Sequence, residues 1–157
     1  MIRIIDLLEY NREIRHRYFE VLAGLPWNEL VKNRDASFES LRNIFIHTLG
    51  CTDYWLDFLL KEHRRTQGRY EDYKSVQQIR DYMVYVEARM KVYIDALLPN
   101  DLEKTHIREI QSGISIEVTT EDVLLHLFEE EVHHRGELIA LLWQMGIEPP
   151  PMGWKGL

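Results

Sequence analysis

Apolar residues return every three or four positions along four long stretches, a rhythm that only a helix turns into a continuous face. The first stretch runs from Ile4 to Ala23, sets Ile4, Leu8, Asn11, Tyr18, Val21 and Leu22 near one side, and stops at Gly24-Leu-Pro26. A polar connection, Asn28 to Ala36, leads to a second helix predicted to open on Ser37 as its N-cap. That helix carries Leu41, Ile44, Phe45, Thr48, Cys51, Trp55 and Phe58 and fades in the charged, glycine-containing loop His63 to Asp72. Ser75-Val-Gln-Gln78 fits a capping box, the reciprocal pairing of side chains with orphan backbone donors. It opens a third helix bearing Val76, Ile79, Met83, Val86, Met90, Tyr93 and Leu97, halted by Pro99-Asn-Asp. Between Lys104 and Val118 the period shortens to two: Ile114, Ile116 and Val118 alternate and Ser112-Gly113 signals a turn, predicting a short β-hairpin or extended segment. Thr119, with Asp122 three residues on, restarts a helix that ends near Gly146, and the proline-rich tail from about residue 148 is extended.

Four amphipathic helices of this length predict an all-α, single-domain four-helix bundle over 1–157, an architecture whose inward side chains can build metal sites. The long connections on either side of the third helix allow crossovers, so a simple up-down-up-down order is not required. A formal net charge of −7 with no run of Lys or Arg argues against nucleic acid as a partner. The most apolar run, Ile44 to Leu60, falls short of the ~20 residues that span a bilayer and is broken by His47, Asp53 and Asp57, so no membrane partner is expected. Cys51 is the only cysteine and Met1-Ile-Arg-Ile-Ile-Asp is already charged, which points to a cytoplasmic protein without a signal peptide.

One apolar face is interrupted by chemistry. The last helix reads Val123, Leu127, Glu130, His134, Leu138, Leu141 and Met145 in steps of three and four, so a carboxylate and an imidazole point with the leucines toward the core. An unpaired carboxylate there is costly, and a bound cation removes the cost, since Glu and His are ordinary ligands of Zn²⁺ and related ions. Two ligands do not make a site, so a third must come from another helix. His47, among Ile44, Phe45 and Cys51 on the second helix, is the candidate; taken alone it also fits a core histidine satisfied by ordinary partners. There is no Gly-rich phosphate loop, no Gly-x-Ser-x-Gly elbow and no His-Glu-x-x-His, which argues against nucleotide enzymes and serine hydrolases.

At these residues the chain resembles the metal-binding bundle proteins named after a DNA-damage-inducible bacterial protein, the DinB/YfiT-like superfamily. Ser37-Phe38-Glu-Ser-Leu-Arg leading to His47 and Tyr54-Trp55-Leu56, and the late His133-His134-Arg135-Gly136-Glu137-Leu138, carry the likeness. The resemblance implies an up-down-down-up bundle, often a homodimer, holding a divalent metal with one histidine from the second helix and two spaced i/i+4 on the fourth. His47 and His134 match two of these positions, and the middle one falls on Glu130 instead of histidine. The implied metal set is His47, Glu130 and His134, with Zn²⁺, Ni²⁺, Fe²⁺ and Mn²⁺ all compatible. His126, one turn before Glu130, is an alternative to it.

The resemblance further implies a metal-dependent enzyme, a thiol-dependent S-transferase or isomerase acting on a low-molecular-weight thiol and an electrophilic small molecule. The alternative is a non-catalytic, dimeric, stress-associated metal-binding protein, and metal-assisted hydrolysis with Glu129 or Glu131 as base ranks last because both point off the ligand face. Of the remaining residues, His133 reads as a surface or interface histidine, Cys51 as a small core residue and Tyr54 as lining the pocket or packing in the core. Asp53 reads as a solvated carboxylate, Gly136 as room for a close helix crossing, and Arg135 and Glu137 as pairing with neighbours or across a dimer.

Overall fold

The computed structural model describes residues 2–62, 64, 68–111 and 113–154; His63 and Ser112, invoked above for a loop and a turn, lie outside them, as do Met1 and 155–157. Helix α1 spans Ile4–Ala23, and its first turn is closed by Asp6, which accepts from the Arg3 backbone N–H at 3.0 Å. Helix α3, Leu41–Leu60, begins later than expected. Its N-cap is Ser40, whose Oγ accepts from the Asn43 N–H at 3.2 Å, while Glu39 sits at φ 68°, a left-handed conformation no helix can contain. Ser37 is therefore outside the helix and free for another role. Between α1 and α3 the connection expected to be irregular holds a short helix α2, Trp27–Val31, started by Pro26 and pinned by buried Leu30.

Helix α4 covers Val76–Ala96. Ser75 Oγ accepts from the Gln78 N–H at 3.2 Å, but the Gln78 carboxamide accepts from the Lys74 N–H at 2.6 Å, so the expected box closes one residue early. The predicted hairpin is present: β1, Thr105–Gln111, pairs antiparallel with β2, Ile114–Thr119, with a bulge between Glu109 and Gln111 and Gly113 at φ 79° in the turn. Helix α5, Thr120–Gln144, starts on a complete capping box in which Thr119 and Asp122 exchange hydrogen bonds of 2.7 and 3.0 Å.

The four long helices form a bundle in which α5 packs on α1 and α3, and α3 packs on α4. Directions follow from which residues meet. Along α1 and α5, Asn11 meets Phe128 and Arg15 meets Glu131, both numbers rising, so these helices run parallel. Tyr82 and Arg89 of α4 meet Asp53 and Asp57 of α3 in the same rising order. His47 with His134 and Trp55 with His126 run oppositely, as do His16 with Glu87 and Glu20 with Arg80. The order is up-down-down-up, and the connection between parallel α3 and α4 must travel back along the bundle.

The apolar interior is split in two. One cluster gathers Ile14, Tyr18, Phe19, Phe45, Leu49, Met83, Leu138 and Leu142, and the other Ile4, Trp55, Leu59, Val123, Leu124 and Leu127. Each such side chain contributes roughly 1.5–3 kcal/mol when fully buried. Between the clusters lies a polar belt. Asp53, expected to be solvated, is fully buried there; it accepts from the Tyr82 hydroxyl at 3.2 Å and pairs with Arg89, which also holds Asp57 at 2.6 Å and Glu62 at 3.0 Å. On the other side Arg15 pairs with Glu131 and with Glu87 at 3.0 Å, and the Tyr18 hydroxyl donates to Glu131 at 3.2 Å. Arg135 donates to Asn11 at 3.1 Å with its guanidinium over the Tyr10 ring, an intrachain role. Burial of so much charge is tolerable because nearly every group has a partner. Gly136 faces open space, so no close helix crossing explains it. The tail folds back along α1: Tyr10 donates to the Met152 carbonyl at 2.6 Å and Arg17 to that of Pro151 at 3.0 Å.

Candidate metal centre

The edge of the polar belt between α3 and α5 brings His47, Glu130 and His134 together, each offering a ligand atom within 4.8 Å of the others. Glu130 Oε2 lies 3.7 Å from His47 Nε2 and 3.5 Å from His134 Nε2. An ion with bonds of about 2.0–2.2 Å spaces tetrahedral ligands by roughly 3.3–3.6 Å, so the donors fit a divalent metal in type and spacing. His134 is nearly buried (8% exposed side chain), but His47 and Glu130 are at 25% and 27%. The expected placement in the bundle core is thus corrected: the group is partly open to solvent, because α3 and α5 present these residues at the margin of their apolar faces. The opening is what an exchangeable ligand requires.

Neighbouring residues orient the donors. Glu137 accepts from the Ser37 N–H and Oγ–H, both at 2.7 Å, and lies 3.3 Å from His134 Nδ1. A carboxylate on Nδ1–H fixes the tautomer and leaves Nε2 with its lone pair toward Glu130. Burial pushes the Glu137 carboxyl up, but the bonds from Ser37 and His134 outweigh it and hold it below the usual carboxylate range. Phe38 stacks on the His47 ring at 3.8 Å and meets His134 edge-on at 5.3 Å, walling one side of the site. Burial and the neighbouring His134 imidazole lower the His47 pKa, against the pull of Glu130, which favours the neutral, ligating form.

Cys51, expected as a small core residue, is half-buried with Sγ 3.8 Å from Glu130 Oε2. Burial, with the Glu130 carboxylate beside it, pushes this thiol up to about 12. His126 packs edge-on against Trp55 at 5.3 Å and is not drawn into the ligand group, so the alternative to Glu130 is not realised. His133 is exposed, and Tyr54, expected in the pocket or core, is exposed with its ring against Trp55. Sequence reasoning missed Ser37 and Phe38 as parts of the site. Their signal was present in the Ser37-Phe38 pair that stands just before the helix carrying His47.

A helical bundle with an interhelical His/Glu/His group of this kind defines the class of protein. The chain belongs to the DinB family, whose sequence profile matches residues 1–155. It is 22% identical over 160 residues to the uncharacterized protein YizA of Bacillus subtilis (strain 168), an alignment covering 98% of this chain and 94% of that protein. Its fold is similar to the crystal structure of a DinB-like protein from Bacillus cereus ATCC 10987, with a TM-score of 0.69 and 20% identity over 94% of this chain and 93% of that one.

Proposed function

We propose that this protein is a divalent-metal-dependent enzyme, a thiol-dependent S-transferase or isomerase, with His47, Glu130 and His134 as the metal ligands. The observation that carries the reading is the convergence of these three donors from two facing helices at a partly exposed position. His47, Glu130 and His134 would hold the ion, which when bound would lower the pKa of a coordinating thiol toward neutrality. The chain's own residues do the rest. Glu137 keeps His134 in the ligating tautomer, Phe38 shields the outer face of His47, and Cys51 offers its proton to Glu130. A low-molecular-weight thiol and an electrophilic small molecule are the proposed reactants, and a homodimer the proposed assembly. Zn²⁺, Ni²⁺, Fe²⁺ and Mn²⁺ all suit a His/carboxylate set.

The second reading is a non-catalytic, dimeric, stress-associated metal-binding protein, favoured by a carboxylate at the middle position where the resembling proteins carry histidine. Metal-assisted hydrolysis loses support, because Glu131 is committed to Arg15 and Tyr18 and Glu129 is exposed on another face. Metal analysis of tag-free protein tests the site: about one ion per chain is expected, falling sharply in Glu130→Ala and His134→Ala. Incubating the loaded protein with a cellular thiol and an electrophile then separates the readings. Thiol adduct formed faster than in the ligand variants supports the enzyme; one tightly held ion without turnover supports the binding protein.

A further inference from the structure

Arg108 is out of keeping with the rest of this acidic chain. Other partly buried guanidiniums face carboxylates or carbonyls, as Arg15, Arg34 and Arg89 do. Arg108 has no ion pair among the described residues, and its Nε is buried with no hydrogen-bond partner. It is held by aromatic faces instead: the guanidinium carbon lies 4.2 Å from the centroid of the Trp55 ring and 6.0 Å from that of Tyr54. Stacking on aromatic rings fixes a guanidinium while leaving its in-plane donors unspent.

Its position gives that spare capacity a direction. Arg108 pairs with Ile116 across the hairpin, on the face that turns toward α3. On α3, His47, Cys51 and Trp55 are successive i/i+4 steps, so Trp55 lies about 12 Å along the axis from His47. On α5, His126 meets Trp55 one turn before Glu130. The His47/Glu130/His134 group and the Trp55–Arg108 stack thus occupy neighbouring stretches of one α3–α5 face, with Cys51 between them and close enough to Arg108 to feel its charge.

We infer that Arg108 anchors a carboxylate on the small molecule that lies along this face, so that the thiol taken at the His47/Glu130/His134 group is an anionic one. The inference rests on the proposed metal-and-thiol reading for the thiol, and on Arg108 alone for the carboxylate. A carboxylate reaching Arg108 gains a charge-assisted pair in a partly desolvated place. A neutral or cationic thiol of the same length leaves the guanidinium unpaired.

The test uses cobalt-loaded full-length protein and follows sulfur-to-cobalt charge-transfer absorption. Mercaptohexanoate and mercaptooctanoate are titrated against mercaptohexanol and mercaptooctanol. The longer acid, able to span the distance between the two stretches, is expected to bind about tenfold tighter than its alcohol, the range of a charge-assisted bond. Arg108→Gln should remove that preference, leaving alcohol affinity and the cobalt d–d spectrum unchanged, and Arg108→Lys should restore part of it. Equal affinities of acid and alcohol in the unaltered protein, or a preference that survives Arg108→Gln, overturn the role of Arg108. If the protein takes up no cobalt, the metal reading falls, and calorimetric titration of the apo protein with the same pairs decides the anchor. An acid preference lost in Arg108→Gln upholds it; no preference overturns it.

Discussion

Replacing Arg89 by methionine should damage this protein more than removing the buried acid it serves. Arg89 binds Asp53, Asp57 at 2.6 Å and Glu62 at 3.0 Å, and Asp53 is fully buried, accepting from the Tyr82 hydroxyl at 3.2 Å as well. Methionine fills a similar volume but removes the guanidinium that pairs with a fully buried carboxylate, a change that costs about 3–5 kcal/mol in comparable buried pairs. At ~2.1 cal/mol/K per residue, a chain of 157 residues unfolds with an entropy near 330 cal/mol/K, so the melting temperature should fall by roughly 9–15 °C. Asp53→Asn, by contrast, leaves Arg89 with Asp57 and Glu62 and keeps a polar partner for Tyr82, for a loss of about 1–2 kcal/mol and roughly 3–6 °C. Urea unfolding and calorimetry of the two variants and their combination measure both terms, and the double variant should be less damaged than the sum of the two singles. Should Arg89→Met prove no more harmful than Asp53→Asn, the claim that this arginine holds a buried excess of negative charge is wrong.

Two further outcomes follow from the site. The Glu137 carboxyl lies below its ordinary range, so its contribution to folding is complete above the unfolded carboxylate pKa near ~4.3 and is lost as pH falls through the lower folded value. Glu137→Gln should therefore be less stable than the unaltered protein by about 1 kcal/mol at pH 7, with the gap closing in strong acid, as read by urea unfolding at both pH values. Cys51, with its thiol pushed up to about 12, should react with iodoacetamide about a thousandfold more slowly at pH 8 than an ordinary cysteine, measured by mass spectrometry of the apo protein. Alkylation at an ordinary rate would show that the thiol is neither buried nor bound to Glu130.

The long helices were legible because their apolar rhythm is carried by neighbours three and four residues apart, and a single chain displays that directly. The hairpin was legible for the same reason at a period of two. The clustering of His47, Glu130 and His134 was legible because Glu130 and His134 break an apolar stripe, a local anomaly that pointed outward to His47. What sequence hid was pairing at a distance. Arg15 and Glu131 stand 116 residues apart, and each alone reads as a solvated charge; only their meeting makes burial possible. Asp53 was misread in the same way, since nothing near it in sequence announces Arg89. Ser37 was assigned to the helix end because serine caps helices, whereas Glu39 in a left-handed conformation moves the start to Ser40 and releases Ser37 to Glu137. Helix α2 escaped notice because five residues show no period at all.

The parallel seating of α1 against α5 sets the timetable by which the protein becomes itself. Arg15, Tyr18 and Asn11 are made early on the ribosome, yet their partners emerge more than a hundred residues afterward. Until then α1 has only its α3 and α4 partners, and the flank it shares with α5 stays uncovered. Maturation of this small helical protein is thereby governed by a late, long-range closure, slower than its helix content alone would suggest.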